Sequence, residues 1–263
     1  MDLKLAGKRA LVTGSSSGIG EGIARMLAAE GCAVIVHGRD RARSEAVARE
    51  IGATGVAIGD LATDAGADAV AQAAGAVDIL VNNAGGAAGT SAMGWTEVDE
   101  AGWIGTYQLN VIAAVRMIRR LLPAMKQAGW GRIINIASAA ATQPIALGPD
   151  YGAAKAAMLN MTVSLAKALG PCGVTANSIS PGMVLTPAVA AWLTGARHTL
   201  GWGDISLEEA ERRMAREITP VAVGRAGRVE EIAHIACMIA SPASGYMTGA
   251  NVRVDGGQVQ SIN

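Results

Sequence analysis

Apolar residues along the chain fall into two alternating kinds of run. Short continuous stretches, such as Ile79-Leu80-Val81 and Ile133-Ile134, suit strands covered on both faces. They predict strands over 8–13, 33–37, 55–59, 77–82, 131–137, 173–180 and 251–255. Between them, apolar residues recur at helical spacing, as in Ile23, Ala24, Met26 and Leu27. These stretches predict helices over about 18–30, 41–51, 64–74, 97–126, 151–169, 206–217 and 229–240. Alternation of this kind predicts an α/β fold, a parallel sheet of seven strands with helices on both faces. Ligands of such sheets bind beyond the strand carboxyl ends, where strand order reverses. Gly14, Asn83, Ser138 and Pro181 each follow a strand and point to that rim.

Helix boundaries carry their own signals. Ser206 with Glu209 reads as a capping box, and Thr96 with Asp99 as a weaker one. Pro171 and Gly173 end the helix that carries Lys155. The segment from Met183 to Gly224 has no clear strand and contains Trp192, Leu200 and Trp202 with Gly195, Gly201 and Gly203. Long loops of this kind are usually functional. Trp192 fits a substrate wall and a core position equally.

The glycine-rich run Gly14-Ser15-Ser16-Ser17-Gly18-Ile19-Gly20 lies between a strand and a helix. Glycine lets a phosphate approach the backbone, and a helix amino terminus offers unpaired N–H groups and a positive dipole end. No lysine follows Gly20, which excludes the mononucleotide P-loop. Farther on, Tyr151 and Lys155 stand four apart on one helical face, with Ser138 on the loop before them. An ammonium beside a phenol is expected to lower its pKa, so that Tyr151 exchanges a proton with an alcohol oxygen near neutral pH.

Composition narrows the partners. The chain has 263 residues, 51% hydrophobic, with 22 basic and 22 acidic side chains. Its length and the lack of a linker or repeat suggest one domain over 1–263. A net charge of zero gives no reason to expect nucleic acid or an anionic membrane as partner. The start, Met1-Asp2-Leu3-Lys4, lacks a signal-peptide pattern. The uncharged stretches 79–96 and 173–196 are too rich in Asn, Ser, Thr and Gly for membrane spans. Cys32, Cys172 and Cys237 are far apart and odd in number, which fits reduced thiols in the cytoplasm. His37, His198 and His234 show no metal-ligand spacing, so no metal is expected.

Six motifs together resemble the short-chain dehydrogenase/reductase family. Thr13-Gly14-Ser15-Ser16-Ser17-Gly18-Ile19-Gly20 is similar to its TGxxxGxG turn, and Asn82-Asn83-Ala84-Gly85 to its NNAG segment. Asn110, Ser138, Tyr151 and Lys155 fall in the family's order and spacing. Pro181-Gly182 with Thr186 resembles the turn covering the nicotinamide, and Val254-Asp255-Gly256-Gly257 the carboxy-terminal segment. The resemblance spans essentially the whole chain. It implies a single-domain, Rossmann-type, doubly wound sheet with a substrate lid over about 183–224.

The resemblance also implies roles. Gly14, Ser16, Ser17, Gly18, Ile19, Gly20, Arg39, Asp60, Leu61, Asn83, Ala84, Gly85, Tyr151, Lys155, Pro181, Gly182, Val184 and Thr186 would hold the dinucleotide. The family's selecting acid falls where this chain has Gly38, and Arg39 can pair with a 2′-phosphate, so NADP(H) is favoured. NAD(H) is the alternative if Asp40 accepts from the ribose instead of capping the next helix. Asp60 either contacts adenine or forms a turn. Asn82 braces the sheet. In the implied mechanism Tyr151 is proton donor or base and Lys155 assists it. Ser138 holds the substrate oxygen, and Asn110 positions a water; a buried asparagine satisfied by backbone is the other reading of Asn110. The substrate is a small carbonyl or alcohol, of 3-oxoacyl reductase or sugar and polyol dehydrogenase type. A non-catalytic dinucleotide-binding protein is the remaining alternative. A carrier-protein substrate would want a basic patch, for which Arg116, Arg119, Arg120 and Lys126 are candidates, or else an ordinary solvated face. A homotetramer or dimer is implied through the helices 97–126 and 151–169, with Ala113, Ala114, Met117 and Leu121 permitting the contact.

Overall fold

The computed structural model describes residues 2–261. Among them, seven parallel strands form one sheet in the order β3-β2-β1-β4-β5-β6-β7. The strands are β1 (Arg9–Val12), β2 (Ala33–Gly38), β3 (Gly55–Ile58), β4 (Ile79–Asn82), β5 (Gly131–Ile136), β6 (Val174–Pro181) and β7 (Asn251–Val254). The helices are α1 (Gly18–Ala29), α2 (Arg41–Ile51), α3 (Asp64–Ala74), α4 (Glu100–Tyr107), α5 (Ala113–Ala128), α6 (Pro149–Leu169), α7 (Pro187–Ala196), α8 (Leu207–Arg213) and α9 (Val229–Ala240). Each expected strand is present, shifted by a residue or so at its ends.

The side-chain period of two explains why the strands read as unbroken apolar runs. Ala10, Val12, Val34, Val36, Ile79, Val81, Ile134 and Ile136 pack on one face with α1, α2 and α9. Leu11, Ile35, Leu80 and Ile133 pack on the other with α3, α5 and α6. Both faces are dry, so most strand positions are apolar, and buried polar ones such as Asn82 and Asn135 are hydrogen-bonded to each other. Strand order reverses between β1 and β4, which pair directly through Ala10–Ile79, Leu11–Leu80 and Val12–Val81. The loops after these two strands therefore open side by side.

Several boundaries differ from expectation. The long helix begins at Glu100, not 97, because Asp99 and not Thr96 caps it, accepting from Gly102 N at 2.8 Å. It is interrupted by a π-helical turn, Gln108–Ile112, before α5. Ser206 caps α8 by accepting from Glu209 N, but the Glu209 carboxylate turns to Arg212 and Arg213 instead of back to the cap. Residues 187–196, left without structure by the sequence pattern, form α7. The small residues expected at a subunit contact point inward instead. Ala113, Met117 and Leu121 are buried against the sheet, and Ala114 packs on Ala154 and Met158 of α6.

Candidate functional site

The loops after β1 and β4 are stitched together by side chains. The Thr13 hydroxyl accepts from the backbone N–H of Asn83 at 2.9 Å and of Ala84 at 3.0 Å. Asn83 Nδ2 donates to the carbonyls of Thr13 and Gly14. Only glycine fits at 20, where a Cβ would collide with Asn83 Nδ2 and lie 2.5 Å from Gly14 O. Ser17 precedes α1 and makes no side-chain cap, so the first N–H groups of that helix have no capping side chain. The result is a cleft of about 640 Å³, lined by Gly14, Ser16, Arg39, Asp60, Gly85 and Leu109 among others. Ligand sites commonly have this size.

His37 braces this cleft from below, a role the sequence pattern did not suggest. Its Nδ1 accepts from Gly14 N at 2.9 Å, and its Nε2 lies 3.2 Å from Gly59 O. One nitrogen must accept and the other donate, which fixes a neutral Nε2–H ring. Burial pushes its pKa down to about 4, consistent with that form.

At the end of β2, a Cβ on Gly38 would lie 2.5 Å from Ser44 Oγ and 2.9 Å from Ser16 Oγ. Ser16 thus fills the space where an acidic side chain would begin. Arg39 is exposed and makes no ion pair among the described residues. Asp40 caps α2, accepting from Arg43 N at 3.0 Å. Arg43, absent from the sequence-based set, lines both the cleft and its neighbour along Gly18, Ile19 and Thr186. Its place in the first turn of a helix starting at the strand end is the signal that could have found it. Asp60 lines the cleft and also forms a turn, accepting from Ala62 N at 3.0 Å. Leu61 is buried behind it. Asn82 braces the sheet, donating to Asn135 Oδ1 at 2.9 Å.

The second half of the site rises from β5, α6 and the π-helical turn. Ser138 Oγ accepts from Ala140 N and stands near enough to the Tyr151 phenol to act on its proton affinity. Lys155 is buried, and its Nζ donates to Ile136 O at 2.8 Å, 5.6 Å from the Tyr151 ring centre. A Cβ on Gly85 would meet Asn110 Oδ1 and lie 3.5 Å from Lys155 Nζ, so these residues converge where the cleft ends. The Asn110 carboxamide is satisfied by backbone: Nδ2 donates to Gly86 O and Thr106 O, and Oδ1 accepts from Gly86 N. Wide turns like the one carrying it are frequent at functional positions.

Burial raises the Tyr151 phenol above its ordinary value, and Ser138 pulls it back. Lys155 is buried as well: its ammonium faces the Ile136 carbonyl, and burial pushes its own pKa down to about 8.

The remaining rim follows β6. Gly182 N donates to Val254 O, holding the Pro181-Gly182 turn. Val184 is buried and bridges Gly227. Thr186 caps α7 by accepting from Val189 N, and its methyl lies 3.5 Å from a Cβ built on Gly18. Trp192 is 48% exposed, which settles it as a surface residue and not core.

Comparison with known proteins agrees with this geometry. The family model described as short chain dehydrogenase matches residues 8–196. The D-beta-hydroxybutyrate dehydrogenase of Cupriavidus necator is 36% identical, over 97% of this chain and 99% of its own. The 3-oxoacyl-[acyl-carrier-protein] reductase FabG of Pseudomonas aeruginosa is 32% identical, over 98% of this chain and all of its own. The L-sorbose reductase of Gluconobacter frateurii, solved with NADPH and L-sorbose, superposes with a TM-score of 0.90 at 33% identity, covering 100% of both chains.

Proposed function

The chain belongs to the short chain dehydrogenase family, and from that premise we propose that it reduces a free ketone with NADPH, Tyr151 delivering the proton. It is an NAD(P)-dependent oxidoreductase that interconverts a ketone and a secondary alcohol. The observation that supports the finer reading is Lys155 Nζ beside Gly85 of the cleft, 5.6 Å from the ring centre of Tyr151, whose phenol Ser138 in turn influences.

The cleft fits a dinucleotide. The backbone contact at Gly20 and the uncapped start of α1 make a cradle for a pyrophosphate. Once bound, the nicotinamide supplies or accepts the hydride. Asp60 and the backbone of Ala84 and Gly85 line the adenosine and ribose path, and Thr186 closes over Gly18. Ser138 donates to the substrate oxygen as negative charge grows there. Tyr151 passes its proton to that oxygen in reduction and takes it back in oxidation. Lys155 holds the ribose, and Asn110, its carboxamide taken up by the backbone of Gly86 and Thr106, fixes the turn beside it.

NADP(H) is favoured over NAD(H) on chemical grounds. Ser16 and Ser44 leave no room for an acid at 38, and Asp40 is engaged at the start of α2. Arg39 and Arg43 stand free to grip a 2′-phosphate, with Arg43 only in an exposed pair with Asp40. The likeness to an NADPH-bound sorbose reductase supports the same choice.

For the substrate, one observation weighs against a carrier-protein partner. Arg116 pairs with Asp64 at 3.0 Å and Arg120 with Asp68 at 2.7 Å, so two of the four candidate basic residues are neutralised. A free ketone of 3-oxoacyl type fits better, with Ile145 and Leu147 exposed on the loop between Ser138 and Tyr151 as an apolar wall. A ketose is the second reading, favoured by the full-length likeness to sorbose reductase. Residues 183–224 form the lid in either case. A cytoplasmic homotetramer completes the reading. The exposed Ile104, Tyr107 and Val163 on α4 and α6 supply its contact in place of the inward-facing residues.

Initial rates of NADPH and NADH oxidation with free 3-oxoacyl esters, an acyl-carrier conjugate and ketoses test this. NADPH is expected to be preferred about tenfold or more, the worth of one charged hydrogen bond. Equal use of NADH would overturn the cofactor assignment, and preference for the conjugate would overturn the free-ketone assignment.

A further inference from the structure

A buried carboxylate stands immediately before Tyr151 and has no part in the mechanism above. Asp150 is fully buried, at the second position of α6. Its Oδ2 accepts from Thr90 Oγ1 at 2.6 Å and from Thr106 Oγ1 at 2.5 Å, and both threonines are themselves buried. Its Oδ1 has no partner among the described residues. A buried charge without a cation is costly unless hydrogen bonds compensate it. Burial disfavours the ionised form, but the two threonines and the first backbone N–H groups of α6 outweigh burial and hold the carboxyl below its ordinary range. Helix amino termini favour an anion in their first turn.

Its partners show what the charge connects. The Thr106 hydroxyl that donates to Asp150 also accepts from Ala88 N at 3.0 Å. The Thr106 carbonyl accepts from Asn110 Nδ2 at 2.7 Å, and the same Nδ2 reaches Gly86 O at 2.7 Å. One residue before α6, Gly148 N donates to Met93 O. Asp150 is thus the node at which the start of α6, the helix turn that carries Asn110 and the segment 86–93 are tied together. A side chain without an acceptor oxygen there leaves two buried hydroxyls without their shared partner.

We propose that Asp150 is a positioning residue whose carboxylate clamps the segment 86–93 and α4 onto the start of α6 and so sets where the Tyr151 phenol stands. The inference rests on the reading of Tyr151 as proton donor. It names no new contact with substrate; Asp150 acts through its neighbour.

A double-mutant cycle on NADPH-dependent ketone reduction tests it, using Asp150→Ala, Tyr151→Phe and the pair, with NADPH binding followed by fluorescence. Asp150→Ala is expected to lower kcat by tens of fold, since a displacement of about 1 Å can cost about 10²-fold in rate. NADPH affinity should be unchanged. In the Tyr151→Phe background, Asp150→Ala should cost nothing further in residual rate, because residues acting through one group are not additive. Asp150→Asn keeps an acceptor for both threonines and should restore most of the rate. If Asp150→Ala does not fold, Thr106→Val and Asp150→Asn carry the test, with a smaller drop in kcat expected for the first. Wild-type kcat in Asp150→Ala or Thr106→Val would overturn the proposal, as would equal losses in both backgrounds. Retained turnover in Tyr151→Phe alone would instead overturn the proton-donor reading.

Discussion

The glycine turn after β1 and the proposed lid after β6 lie on the same rim and are held by different physics. In the turn, backbone touches backbone, so that a Cβ at Gly20 would run into Asn83 and the Gly14 carbonyl. In the lid, a Cβ at Gly195 would meet nothing within 4 Å. The lid instead gathers a small core of Leu193, Ala210, Met214 and Ala226. It is latched to the start of α9 through Glu211, which accepts from Arg228 Nη1 at 2.7 Å and from Ala226 N at 3.0 Å. Contact at the backbone dictates residue identity directly. Contact through side chains leaves many identities open.

Glycine substitutions break or sharpen this contrast most directly. Gly20→Ala should weaken NADPH binding by about 100-fold, because overpacking against backbone costs up to about 3 kcal/mol. Unchanged affinity in a fluorescence titration would show that the turn is looser than its contacts indicate. Replacing Arg39 and Arg43 together by Ala should cost NADPH tenfold to a hundredfold, at about 1.5–3 kcal/mol for charged hydrogen bonds. NADH binding should stay as it was, and a parallel loss of both cofactors would show that the arginines hold the fold and not the phosphate. In the lid, Glu211→Ala should destabilise by about 1–3 kcal/mol, the cost of an unmet buried N–H and a lost charged bond. Hydrogen exchange should speed in α7 and α8 first; uniform speeding would contradict a lid with its own core. Gly195→Ala should stabilise by about 0.5–1 kcal/mol, as expected in a helix interior with open space. A loss in chemical denaturation would reveal a contact not seen here.

The same contrast explains what could be read from sequence. The seven strands were legible because both sheet faces are dry, which keeps most strand positions apolar. Gly14, Asn83, Ser138 and Pro181 were legible as a rim because each ends a strand of a parallel sheet. Tyr151 and Lys155 were visible from one helical spacing. Helix α7 was not, since its Ala- and Gly-containing run has no strong period and it is held by residues such as Met214, far along the chain. His37 and Asp150 were hidden for a similar reason. Their partners lie in other elements: Gly14 and Gly59 for His37, and Thr90 and Thr106 for Asp150. The helix spacing that revealed Lys155 said nothing of where its ammonium points, and the Ile136 carbonyl, nineteen residues earlier, holds it.

The account depends most on the phenol at 151. Single-turnover oxidation of bound NADPH by the best ketone of the panel, in Tyr151→Phe against wild type, tests it most directly. The account predicts a rate lower by about 10²–10⁴-fold, the usual contribution of a positioned acid, with NADPH affinity unchanged. A Tyr151→Phe rate near that of the wild type would contradict it.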